Sequence, residues 1–112
     1  MLLNVYIGND AYKVDVPQEI LEQGEDFFAR MDQDMDRGWQ MGREYVERPD
    51  TLQRCQIAAD KLLTAMHTEN RKVALLMAAY ILTRTPGVAG VQIDTAGEMT
   101  HTEMIMATPT AP

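Results

Sequence analysis

The side chains with the most chemical potential in this chain lie between Asp32 and Glu44. Asp32, Asp34 and Asp36 alternate along the chain, Gly38 follows, and Glu44 lies beyond. A helix–loop–helix calcium loop places oxygen ligands at positions 1, 3 and 5, glycine at 6 and a bidentate glutamate at 12. The three aspartates meet the first requirement. Gly38 and Glu44 each fall one residue late, and Arg37 puts a cation where the turn belongs. Asp32, Asp34, Asp36 and Glu44 are therefore a degenerate candidate site for Ca²⁺ or Mg²⁺. The competing reading is a solvated acidic helix face.

The segment that follows carries a second kind of chemistry. Trp39, Met41, Arg43 and Tyr45 are residue types enriched at protein interfaces, and Trp, Tyr and Arg dominate binding hot spots. They are the candidate partner-binding residues, against the alternative that Trp39 and Tyr45 pack on the domain's own core. Glu44 and Glu47 beside Arg43 are the best pair for carboxylate catalysis, which would need a cleft that shifts a pKa.

Other catalytic classes find little support. The chain contains no serine, so serine nucleophiles are excluded. Cys55 is the only thiol, and a nucleophilic cysteine needs a nearby base. His67 is twelve residues away, about 18 Å along a helix. Cys55 also falls on an apolar stripe between Leu52 and Ala59, which suits core packing. His101 lies near Met99, Met104 and Met106, a soft-ligand set for Cu(I) whose simpler reading is an edge strand. No histidine–cysteine spacing matches zinc.

Charge narrows the partner classes. The chain carries a formal charge of −7, and all of it arises between Asp10 and Asp36, where nine acids face Lys13 and Arg30. Nucleic-acid affinity is dominated by cation–phosphate contacts, so nucleic acid is not expected as a partner. No apolar run reaches the roughly 20 residues that span a bilayer, and the Met1–Tyr6 start has no basic flank. A lone cysteine forms no internal disulfide, which fits a cytoplasmic setting.

These residues must be positioned by a small set of elements. Leu2–Ile7 and Tyr12–Val16 alternate around Gly8-Asn9-Asp10 and predict a β-hairpin. Pro17 suits a helix start, and the apolar or small residues Ile20, Gly24, Phe27, Phe28, Met31 and Met35 recur at helical spacing. That stripe extends through Gly38 and Gly42 to Val46. A helix from Pro17 to Glu47 would be roughly 46 Å long, whereas a domain of this size spans only about 35 Å. It must break near Gly38 or find a partner. Ending it at Gly38 would crowd three aspartates at the negative end of the dipole, which favours either continuation past Gly38 or a local cation, continuation first.

Asp50 with Gln53 forms a capping box for a second helix through Cys55, Leu62 and Met66. After a polar turn at His67–Asn70, Val73–Leu82 is apolar around its circumference and predicts a buried third helix. Pro86-Gly87 ends it, and Val88–Thr95 reads as a strand. The expected fold is α+β: an N-terminal hairpin, three main helices of which the first is long and either continuous or broken near Gly38, and a C-terminal strand completing a small sheet. One domain is expected over residues 1–97, followed by a 98–112 tail with a possible edge strand at Met99–Met106 and disorder past Ala107. The expected function is a small non-catalytic interaction protein. It would self-associate through the long helix and Trp39–Tyr45, with cation binding and carboxylate catalysis as alternatives.

Overall fold

Turn chemistry at Gly8, whose φ is +60°, joins two alternating runs into the first hairpin. Strand β1 (Leu2–Ile7) pairs antiparallel with β2 (Asp10–Asp15), Leu3 opposite Val14 and Val5 opposite Tyr12. The computed structural model describes residues 1–107. In it β1 also pairs in parallel with a later strand, Val88–Ile93, which in turn pairs antiparallel with Glu103–Met106. Numbered in chain order after the short strands described below, these are β5 and β6, and the sheet runs β2-β1-β5-β6. Period-two alternation places Leu3, Val5, Val91 and Ile93 in the core.

Among the described residues four α-helices accompany the sheet: α1 (Gln18–Gln23), α2 (Glu25–Asp36), α3 (Thr51–His67) and α4 (Arg71–Arg84). The capping box at the head of α3 is complete. The Gln53 amide nitrogen donates to Asp50 Oδ1 at 2.8 Å, and the Asp50 amide donates to Gln53 Oε1 at 2.9 Å. Asn70 caps α4 by accepting from the Val73 amide at 3.2 Å. The apolar run of α4 is buried from Met77 to Leu82, as its all-round hydrophobicity predicts. Phe28 of α2 meets Tyr80 edge-on with ring centroids 6.0 Å apart, and both are fully buried. Each such ring contributes about 1.5–3 kcal/mol by leaving water.

The expected long first helix is divided at two glycines: Gly38, where a break was one of the two expected outcomes, and Gly24, which corrects the reading of one continuous stripe. At Gly24 the chain bends between α1 and α2. A side chain there would lie 2.6 Å from the Ile20 carbonyl oxygen and 2.7 Å from the Phe28 ring, so only glycine permits the close approach. At Gly38 the helix stops. Gly38 adopts φ +99°, and its amide donates to the Met35 carbonyl at 3.0 Å, the usual way a glycine terminates a helix. The following residues form a second hairpin, β3 (Trp39–Met41) and β4 (Glu44–Val46), turned by Gly42 at φ +65°.

The α+β architecture, the N-terminal hairpin and the C-terminal strand agree with the sequence reading, and α2, α3 and α4 are the main helices. The second hairpin replaces the far half of the predicted helix. The segment after Glu98 forms a 3-10 turn at Met99–His101 and then β6. It is tied to α3 by Gln56, whose Nε2 donates to the carbonyls of Thr100 at 3.1 Å and Thr102 at 3.0 Å. The expectation of disorder past Ala107 lies outside the described residues. The described residues measure 40 × 35 × 32 Å, shorter in every direction than a straight helix of roughly 46 Å. Among the described residues no helix is long and apolar enough to cross a membrane.

Candidate functional site

Helix α2 carries different chemistry on its opposite faces. At about 100° per residue, Asp32 and Asp36 lie on one side of a helix and Asp34 nearly opposite. The first side faces two arginines. Arg54 of α3 donates from Nη1 to Asp32 Oδ1 at 3.3 Å and from Nη2 to Asp36 Oδ1. Arg84 of α4 donates from Nη2 to Asp32 Oδ2 at 3.0 Å and to Glu25 Oε1 at 2.9 Å. The Tyr80 hydroxyl donates to Asp32 Oδ1. One carboxylate thus fastens α2 to both long helices.

The electrostatics of this cluster follow from its pairing. Burial pushes the Asp32 carboxyl up, but the hydrogen bonds from Tyr80, Arg84 and Arg54 outweigh it and hold the group below its ordinary value of 3.8. Burial and the bond to Asp32 push the Tyr80 phenol up. The bonds to Glu25 and Asp32 raise Arg84 despite partial burial. Arg54 is raised by Asp36 and Asp32 against the opposing effect of its own burial. Nearby, burial pushes the Cys55 thiol up, and its Sγ lies 3.1 Å from Thr85 Oγ1. Cys55 is fully buried and inert by position.

These pairs explain how α2 ends at Gly38 although the dipole argument ranked continuation first. Three aspartates at a helix C-terminus oppose the dipole. Here two of them are matched by Arg54 and Arg84, from 18 and 48 residues beyond Asp36, so the penalty is offset without extending the helix. Asp32 and Asp36 are not a freely solvated face.

The other side of α2 opens onto a groove of about 680 Å³. Its floor is apolar: Met31, Met35, Ala65 and Met77 are buried, and Phe27 and Val73 half-buried. Arg30 and Asp34 of α2 form one rim, and Asp60, Lys61 and Thr64 of α3 the other. Trp39 stands at the edge, with Lys61 Nζ 5.0 Å above its ring. This geometry fits a cation–π contact. The volume lies within the range of binding pockets, and methionines give the floor adaptable packing.

The residues singled out from sequence do not share one place. Trp39 is half-buried and lines the groove, while Met41 is buried in the core. Arg43 is 93% exposed at the hairpin tip and reaches Glu98 at 3.7 Å. Tyr45 projects from the other face of the hairpin and donates its hydroxyl to the Arg37 carbonyl at 3.1 Å. Of the cation candidates, Asp32 and Asp36 face the arginines, Asp34 faces the groove, and Glu44 is exposed on β4. They do not converge, because helical periodicity separates residues two apart. Among the described residues no group of three or more His, Cys, Asp or Glu side chains is placed to hold a metal ion. Glu44 and Glu47 are both exposed and take no part in the groove.

Sequence reasoning missed Arg54, Arg84, Asp60, Lys61 and the groove itself. No local pattern joins Phe27 and Asp34 to Lys61 and Met77. Comparison of the chain with protein-family models, curated proteins and solved structures gives no match.

Proposed function

We propose that this protein is a small non-catalytic interaction module that self-associates through the groove beside Trp39. The observation that carries this reading is the groove itself, an open apolar floor rimmed by charges of both signs with the sole tryptophan at its edge. Buried apolar centre and polar rim are the anatomy of a protein interface. The groups whose protonation is perturbed, Asp32, Arg54, Cys55, Tyr80 and Arg84, do not line it. They sit in ion pairs and core that hold α2 in place, which speaks for structure over acid–base catalysis.

The contact suggested by the sequence, a projecting helix with Trp39–Tyr45, is thereby narrowed to α2, Trp39 and the facing ends of α3 and α4. Sedimentation equilibrium between about 1 and about 100 µM tests it, a range that covers ordinary self-association constants. The expected result is a concentration-dependent rise in mass, accompanied by a blue shift of Trp39 emission as the groove is covered. A constant monomer mass with unchanged emission would refute it.

A further inference from the structure

The rim of the groove specifies its occupant. Arg30, Asp34, Asp60 and Lys61 have no salt-bridge partner among the described residues. Arg30 donates a 3.5 Å bond from Nε to the Asp26 carbonyl of its own helix. Asp32, Asp36 and Glu25, on the opposite side of α2, are all paired. The rim therefore holds two acids and two bases, summing to zero, on a chain of −7. Two copies of so acidic a chain repel at most orientations, and a locally neutral face is where that repulsion is least. A basic partner would instead be drawn to the excess acids around Asp10–Glu22.

The order of charges along α2 adds symmetry. Arg30 and Asp34 are one turn apart on the same exposed face. An antiparallel copy of this helix, related by a two-fold axis passing between them, sets Arg30 against the partner's Asp34 and Asp34 against the partner's Arg30. Such reciprocity is the signature of an isologous interface, in which each contact occurs twice. In this register Phe27, half-buried at the groove, would face the partner's position 37 and cover the groove at its Trp39 edge.

We infer that the groove is filled by α2 of a second copy of this chain, packed antiparallel so that Arg30 and Asp34 pair reciprocally across a two-fold axis. This rests on the self-association reading above and specifies its geometry. Reversing one charge creates two like-charge contacts per dimer and leaves the ion pairs on the opposite side of α2 intact; the like-charged neighbours it also makes one turn apart on α2 are present in monomer and dimer alike. Sedimentation of Arg30→Asp alone, Asp34→Arg alone, and an equimolar mixture of the two separates the possibilities. Each variant alone should dimerise about tenfold or more weakly than the wild type, because the repulsion is counted twice. The mixture should recover dimers, since one helix then presents only aspartates and the other only arginines at these positions. Circular dichroism checks that each variant folds, and the mixture remains informative if either is weakened. If single reversals leave the wild-type dimer constant unchanged, or the mixture stays as weak as its components, the antiparallel α2 pairing is wrong although self-association stands. If the wild type is monomeric at about 100 µM, both readings fall.

Discussion

Asp32 shows how a residue's role is fixed by groups far away in the chain. Its carboxylate receives Tyr80, Arg54 and Arg84, so removing the charge leaves the partly buried Arg54 with Asp36 alone and Arg84 with Glu25 alone. Asp32→Asn should therefore cost about 2 kcal/mol in urea unfolding at neutral pH. That is below the loss for a fully buried pair, because water still reaches the side chain. The pH dependence has a definite sign. The folded-state pKa lies below its ordinary 3.8, so the pairing stabilises the protein above about pH 4 and is lost as pH falls through the lowered value. Unfolding free energies measured from pH 6 downward should show wild type and Asp32→Asn converging in acid. The sequence displayed the aspartates but not their partners, since nothing local links Asp32 to an arginine 52 residues away. The calcium-loop pattern drew attention to the right residues for a reason the three-dimensional arrangement does not share.

At the scale of elements, Gly38 decides where helix gives way to hairpin. A β-carbon there would run into the Tyr45 ring and hydroxyl, and φ +99° is unfavourable to any L-side chain. Gly38→Ala should destabilise the protein by about 1–3 kcal/mol, the usual scale of such backbone strain, and denaturant melts will report it. Tyr45→Phe removes only the hydroxyl's bond to the Arg37 carbonyl and should cost no more than about 1 kcal/mol in the same assay. The helix caps at Asp50 and the turn at Pro86-Gly87 were legible because their chemistry is local. The second hairpin was legible too, in the Gly42-Arg43 pair between Trp39–Met41 and Glu44–Val46, since a glycine-first two-residue turn favours a hairpin. The helical stripe, extended past its own glycine stop, concealed it. The dipole argument for continuation failed because its cost was met by tertiary ion pairs.

Across the whole molecule, the strand order β2-β1-β5-β6 joins the first strand to one that begins more than eighty residues later. Hydrophobic alternation announces such strands but carries no information on which neighbour each will choose. Cys55 reports on the integrity of this arrangement, because it lies in the core between α3 and the end of α4. Native protein should resist thiol reagents, and the labelling rate should rise with urea in step with global unfolding. Labelling as fast as a free thiol in buffer would show that the core opens locally. The two faces of α2 bear on how this protein can change over evolutionary time. Substitutions at the exposed groove-side positions Arg30 and Asp34 touch neither the arginine anchors nor the buried Met31 and Met35, so those positions are free to drift while stability holds. Adding or deleting one residue midway along the helix is another matter: it turns everything downstream by about 100° and carries Asp36 off its arginine and Met35 out of the core together. Lineages of this chain should therefore vary in the spelling of α2 and keep its length constant between Gly24 and Gly38.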